Sequence, residues 1–339
     1  MNTGKNYNKI VHGSGISKIT AKISVLNSWL KHPEMKKSHL LAQRPPIVQY
    51  IDFLSSIILY GTTLQDYLIF EFYDKNHKER KSYVTGRKLH EFFDKVNNKS
   101  KSNIFIEKNR FAEVFSEYLG RKIFMLDLDG NNINDAKSWL SDKNIVFAKP
   151  SKGVEGRGVT RLVIDKNIED TVDFCLKNKL DLLEEAIIQH PEMNLLYPDS
   201  INTVRFITLV ENDGVKLLGA SLRMGNGKHV DNAAEGGVYA SVDINSGKLD
   251  SVAFKSSGVK YTNHPITKQP IEGFQIPFWE DVVETCKKAA LEVPDVGCIG
   301  WDVAISEKGP LLIEGNDRWS RFVWQHPKEQ GLYHMIKDC

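Results

Sequence analysis

The segment IGWDVAISEKGPLLIEGN, residues 299–316, holds residues whose types and spacing suit cation chemistry. Two apolar runs flank a polar turn. The first run carries Asp302 and the second ends in Glu314, with Asn316 two residues on. Side chains alternate along a strand, so Glu314 and Asn316 share a face. A three-residue turn at 307–309 would set Asp302 directly opposite Glu314, whereas a two- or four-residue turn would shift the pairing by one. Opposed residues on paired strands have Cβ atoms about 5 Å apart. Two ionised carboxylates at that separation repel each other, and a divalent cation removes the cost. Mg2+ suits such a set, because it takes a few protein oxygens and completes its shell with water and substrate phosphates; Mn2+ accepts the same oxygens. The alternative is a pair of acids on a surface hairpin, which the strongly apolar flanks disfavour.

A second stretch, FAKPSKGVEGRGVTRLVI at 147–164, reads as strand, glycine-rich loop, strand. Lys149 ends the first strand, Ser151 opens the loop, and Gly153, Gly156 and Gly158 let its backbone approach a ligand closely. Successive backbone N–H groups in such a turn form an anion-binding concavity. The spacing fits neither GxxxxGK[ST] nor GxGxxG, so the expectation is a phosphate cover, against a plain basic hairpin. In NTVRFITLV, 202–210, Arg205 lies inside an apolar strand. A buried guanidinium needs an anion, either a ligand phosphate or carboxylate or an internal acid. Arg223 in ASLRMG poses the same choice. Asn232 and the Gly236–Gly237 pair in HVDNAAEGGVYA suggest a loop packed over a ligand, with an ordinary glycine turn as the alternative.

These residues need a scaffold. The chain of 339 residues is long enough for two or three lobes. Its net charge of +2 gives no reason to expect nucleic acid as a partner. Residues 17–40, 47–60, 64–74 and 86–97 read as helical, and Gly61 is expected to end the second of these. The polar run Asn97–Asn103 looks like a boundary. Beyond it, helices at 108–119, 133–141, 168–178 and 279–291 alternate with strands at 121–126, 145–150 and 160–164, then LLEEAII, NTVRFITLV, KLLGASLRMG, GVYASVDI and the IGWDVAI/PLLIEGN pair. Several of these strands meet as hairpins, which points to α+β layers of antiparallel sheet. The apolar stretch at 47–59 is interrupted by Gln49, Asp52, Ser55 and Ser56 and is too short to span a membrane. The N-terminal MNTGKNYNKIVHGSG lacks a signal-peptide core. Cys175, Cys286, Cys298 and Cys339 form no zinc spacing, so reduced thiols in a cytoplasmic protein are expected.

The order of these pieces resembles the ATP-grasp superfamily. The wording EEAIIQHPEMNLLYPDSINTVRFITL, VDNAAEGGVYASVD, HPITKQPIEGFQIPFWEDV and IGWDVAISEKGPLLIEGN narrows the resemblance to the sugar-transfer-associated ATP-grasp family, over about residues 60–320. That resemblance implies two α+β lobes gripping ATP, with a mostly helical N-terminal region: residues 1–103 helical, 104–183 the small lobe, and 184–339 the large lobe with the metal site. It implies that Lys149, and more loosely Lys108 in IEKNRF, contact the nucleotide. Glu184, Glu185, Ala186 and Ile187 match the hinge that lines adenine, and Gln189 is expected near the ribose. Asp302, Glu314 and Asn316 match the Mg2+ ligands. Arg205, Arg223 and Asn232 match groups around the transferring phosphate. The family's usual ending, Asn-x-Arg-Pro-Gly, reads here Asn316-Asp317-Arg318-Trp319-Ser320, so Arg318 is kept and the Pro-Gly turn is not. His190, His229 and His264 recur in the wording without a derivable role.

The implied activity is ATP-dependent ligation of a carboxylate to an amine, in cell-surface polysaccharide (capsule or O-antigen) biosynthesis. A uronic acid, amino sugar or amino acid are the substrate classes that context suggests. The alternatives are an ATP-grasp kinase acting on an alcohol and a nucleotide-binding module without turnover.

Overall fold

The computed structural model describes residues 44–151, 159–164, 167–227 and 231–339. The helical expectation at 17–40, the loop glycines Gly153, Gly156 and Gly158, and His229 lie outside the described residues. The chain divides into two compact units, Met1–Phe92 with Lys328–Cys339, and Phe93–Pro327.

The described residues of the first unit form helices and turns. Helices α1 (Pro46–Tyr60), α2 (Leu64–Ile69) and α3 (His77–Ser82) lead to α4 (Gly86–Val96), within which the division falls. Gly61 ends α1 in the left-handed conformation, φ 68°, where glycine has no Cβ penalty. Thr63 with Asp66 caps α2 and Asn76 with Glu79 caps α3, each as a reciprocal box. The core is aromatic: Phe53, Tyr67, Phe72 and Tyr83 are buried and meet edge to face. One polar network crosses it. Asp52 accepts from Tyr67 Oη at 2.6 Å and from Arg80 Nη1 at 2.7 Å, so both charges are paired.

The second unit holds two antiparallel sheets. Helices α5 (Lys108–Val114) and α6 (Ser116–Leu119) precede β1 (Ile123–Met125). Then come α7 (Ile133–Leu140), β2 (Ile145–Lys149), β3 (Thr160–Val163), α8 (Ile168–Asn178) and β4 (Leu182–Glu185). The small sheet runs β1-β4-β2-β3. Ala136, Leu140, Val172 and Cys175 of α7 and α8 bury Val146, Ala148 and Leu183 of the sheet, as alternation along its strands requires.

After the short α9 (Pro191–Leu196), the large sheet takes in β5 (Thr203–Glu211), β6 (Gly214–Met224), β7 (Val238–Val242), β8 (Ala253–Lys255) and β9 (Lys260–Tyr261). Helix α10 (Trp279–Glu292) then leads to β10 (Cys298–Ser306) and β11 (Gly309–Asn316), and α11 (Arg321–Gln325) follows. The sheet order is β11-β10-β5-β6-β7-β8-β9. Trp279, Val282, Cys286, Ala289 and Ala290 of α10 share one core with Val204, Phe206, Ala220, Leu222, Ala240, Trp301, Val303 and Leu312. Those strand residues fall at alternate positions. The residues between them, Arg205, Ser221, Arg223, Tyr239 and Asp302, are thereby turned to the other face.

Candidate active site

On that second face the register sets the polar groups in a row. Asp302 pairs with Arg205 on β5 and with Glu314 on β11. Arg205 pairs in turn with Ser221 of β6, and Arg223 stands opposite Thr203 on one side and Tyr239 on the other. The β10–β11 turn differs from the three-residue one that would align the acids. Ser306 pairs with Gly309, leaving two turn residues, Glu307 and Lys308. In a regular ladder that turn would set Asp302 against Ile313. A bulge restores the alignment: Val303 pairs with Leu312, Asp302 with Glu314, and Ile313 is the extra residue.

Asp302 is buried and fully engaged. Arg205 Nε donates to Oδ1, while Arg205 Nη2 and Arg223 Nη2 reach Oδ2 at 2.9 and 3.0 Å. Burial alone would raise its pKa; Arg205 and Arg223 outweigh burial and hold it down to about 2. Glu314 shows the opposite. Its residue surface is exposed while its carboxyl end is hemmed in by protein within reach of Asp302. That crowding and the Asp302 charge push it above the usual carboxylate range. Asn316 Nδ2 donates to Glu314 Oε1 at 3.3 Å. Among the described residues no cluster of three or more His, Cys, Asp and Glu is placed to hold a metal. The Asp302–Glu314 pair with the Asn316 amide fits a cation that draws its remaining ligands from phosphate and water.

Arg223 sits between two acids. Besides Asp302 it faces Asp231, with Nε at 3.5 Å from Oδ2, and it donates to Thr203 Oγ1 at 2.9 and 2.6 Å. Asp231 in turn accepts from the Thr203 backbone N–H at 3.1 Å and from the Thr203 hydroxyl. Asn232 opens the next turn, its carbonyl accepting from Glu235 and Gly237. Gly237 is a true requirement there, since a Cβ would come within 2.3 Å of the Asp231 carbonyl oxygen.

The small sheet supplies Lys149 and helix α5 supplies Lys108. Lys149, at the end of β2, is buried and pairs with Glu184 Oε2 at 2.8 Å. Glu184 on β4 also meets Arg121 through Oε1 at 3.1 Å. Burial works against its charge, but Arg121 and Lys149 outweigh it and keep Glu184 below its ordinary pKa. Lys108, at the start of α5, donates through Nζ to the Pro150 carbonyl at 2.9 Å. Burial, then the nearby Lys149 charge, lowers its pKa. Ser151 is held by Asp181, which accepts from its backbone N–H at 2.6 Å and from its hydroxyl at 2.5 Å. The ladder between β2 and β4 ends at Glu185, whose carboxylate accepts from the Lys122 N–H. Ala186 and Ile187 then leave the sheet as loop backbone.

Residues 87–339 match the family described as sugar-transfer associated ATP-grasp. The chain belongs to that family. No curated protein matches it. Among solved structures it is similar to D-alanine–D-alanine ligase from Bacillus anthracis, at 12% identity and TM-score 0.44 over 75% of this chain and 74% of that one. It is also similar to L-amino acid ligase from Bacillus licheniformis, at 14% identity and TM-score 0.38, covering 64% of this chain and 41% of that chain. A third is the biotin carboxylase domain of the Hydrogenobacter thermophilus 2-oxoglutarate carboxylase in complex with MgADP, at 16% identity and TM-score 0.42, covering 69% and 45%. At these scores the neighbours carry no argument about activity; the family match carries the ATP-grasp fold.

Within this ATP-grasp chain several expected site residues have protein partners. Gln189 does not point to an open groove. Its Oε1 accepts from the Asn202 backbone and side chain, and its Nε2 donates to Asn194, Tyr197 and Ser200, so a buried amide ties the β4–β5 connection together. Arg205 and Arg223, expected at phosphate, have internal acids as partners here. Arg318 is exposed and reaches Asp94 of α4 at 3.3 Å. In place of the Pro-Gly turn, Trp319 is buried between Phe93 and Trp324, edge to face with both. His190 caps α9, accepting from the Glu192 N–H at 3.2 Å, and His264 is buried with Nε2 2.8 Å from the Gly225 carbonyl; both are structural. Two members of the cluster escaped the sequence reading, Arg121 and Asp231. Asp231 adjoins Asn232 and was detectable as a second polar residue in that turn; Arg121, in LGRKIF, looks like any surface arginine.

Proposed function

We propose that this chain is an ATP-dependent ligase that joins a carboxylate to an amine through an acyl-phosphate, acting in cell-surface polysaccharide biosynthesis. The observation that carries the reading is the facing pair Asp302 and Glu314, aligned across β10 and β11 by a bulge. Asp302, Glu314 and Asn316 would hold Mg2+, which when bound neutralises phosphate oxygens and orients them for in-line transfer. Lys149 and Lys108 offer their ammonium groups to the nucleotide phosphates. Glu184 is the resting partner of Lys149, so Lys149 exchanges a carboxylate for a phosphate and no bare charge is buried in either state.

Arg223 has a similar exchange open to it. Held by both Asp231 and Asp302, it can lean on Asp231 when a cation takes up Asp302. The arginines then balance the charge that develops as the substrate carboxylate attacks phosphorus. An amine next attacks the acyl carbonyl, phosphate leaves, and the products are ADP, phosphate and an amide. The chemistry asks for no protein nucleophile. A uronic acid, amino sugar or amino acid is the substrate class that the family's sugar-transfer association favours.

The test is calorimetric titration of ATP with and without Mg2+, on the wild type and on Glu314→Ala. Binding that needs Mg2+ and weakens in the variant supports the site and justifies assaying ADP release with paired carboxylates and amines. Wild type without ATP affinity, or a variant that binds equally well, refutes it. A stable phosphorylated product formed without amine would make the chain a kinase instead.

A further inference from the structure

Arg121 lies outside every motif read from the sequence, yet its side chain is only 4% exposed and touches both halves of the site. Nη2 donates to Glu184 Oε1 at 3.1 Å, on the carboxylate whose other oxygen holds Lys149. Nη1 donates to the Leu312 carbonyl at 2.7 Å and to the Leu119 carbonyl at 3.3 Å. Leu312 is the residue immediately before the bulge at Ile313. A bulge interrupts the ladder and needs its freed backbone groups satisfied. One planar guanidinium with donors in a fixed fork meets a carboxylate and a carbonyl at the same time.

We infer that Arg121 is a positioning residue for the proposed reaction: it holds the bulge that sets Glu314 against Asp302 and fixes Glu184 as the partner of Lys149, tying the metal end to the lysine end. Lysine in its place keeps the charge and loses the fork. A lost charge-assisted hydrogen bond is worth about a factor of ten or more.

The inference rests on the nucleotide-site reading above, and the experiment separates the two. ATP is titrated calorimetrically into the full chain in Mg2+ and in EDTA, for wild type, Arg121→Lys and Glu184→Gln. The quantity read is the gain in affinity that Mg2+ confers. Arg121→Lys is expected to cut that gain about tenfold, as the loss of one such bond implies. Glu184→Gln leaves both carbonyl contacts of Arg121, so it is expected to keep the Mg2+ gain within about twofold of wild type. A folded Arg121→Lys that keeps the full gain, or that weakens binding equally in both solutions as a purely structural residue would, overturns the inference. If Arg121→Lys does not fold, Glu184→Gln decides: a collapse of its Mg2+ gain overturns the assignment of the metal end to Arg121. Wild type that binds no ATP in either solution refutes the nucleotide reading and the inference with it.

Discussion

The two facing acids should respond in opposite ways to neutralisation. Asp302 is buried with two guanidinium groups against it, and its pKa falls from an ordinary 3.8 to about 2. A depressed carboxylate contributes stability that is present above its unfolded pKa and lost as pH falls through its folded one. At 1.36 kcal/mol per unit, the shift amounts to about 2.5 kcal/mol at pH 7. Asp302→Asn removes that contribution and leaves Arg205 and Arg223 with an amide where they had a charge. Truncating one side of a buried ion pair costs roughly 3–5 kcal/mol, so a loss of about 2–5 kcal/mol is expected.

Glu314→Gln should behave otherwise. The ionised Glu314 is the disfavoured member of the pair, crowded by protein and repelled by Asp302. Its removal takes away a repulsion, discounted for the residue's exposure, so stability should stay within about 1 kcal/mol of wild type and lean upward. The assay is urea unfolding in EDTA at pH 7, followed by tryptophan emission. Five of the six tryptophans, Trp139, Trp279, Trp301, Trp319 and Trp324, belong to the unit Phe93–Pro327, so the signal reports mainly that unit. Lowering the pH should narrow the gap between wild type and Asp302→Asn only below about pH 4, where Asp302 of the unfolded chain takes up a proton, and close it as pH falls through the native value of about 2. If both substitutions destabilise alike, or if Asp302→Asn is neutral, the division of charge between the two acids is wrong.

Further outcomes follow from the same geometry. Gly237→Ala drives a methyl to within 2.3 Å of the Asp231 carbonyl oxygen, against backbone that cannot rotate away; a loss of about 1–3 kcal/mol in the urea assay is expected, and a neutral result would show the turn to be pliable. Lys149→Met should weaken ATP binding by about tenfold or more in calorimetry, while Glu184 keeps Arg121 as a partner; unchanged affinity would remove Lys149 from the nucleotide site. Burial pushes the Cys175 thiol up to about 11 and Cys286 well above its ordinary value, and Cys298 is also buried. A disulfide reagent at pH 8 should therefore label Cys339 quickly and the other three only on unfolding; a second fast thiol would contradict the packing around those cysteines.

What the sequence could convey depends on how local each interaction is. Alternation along 299–316 is local, and it correctly put Asp302 and Glu314 on facing strands. The turn is local too, but the residue that realigns the acids is Ile313, an ordinary apolar side chain in an apolar run. A bulge of that kind leaves no mark in composition, and the contact beside it is remote in sequence: Arg121, 191 residues away, donates to the Leu312 carbonyl. The same holds for Arg205. Its presence in a buried strand demanded an anion, and the one it meets in this structure is Asp302, 97 residues further on. The helices at 46–60, 64–69 and 86–96 and the strand pair 298–306/309–316 were readable because period and caps are written in neighbouring residues, whereas the helix at 77–82 and the short strands at 253–255 and 260–261 were not. Gln189 could not be read this way, since an amide two residues past the adenine-matching stretch looks the same whether it faces a sugar or the protein. Its five contacts to Asn194, Tyr197, Ser200 and Asn202 form only once the chain has folded back on itself. Residue types thus announced which charges the site contains. Which charges answer one another is a property of the sheets, and the paired acids, the shared arginine and the bulge became visible only when the strands were in register.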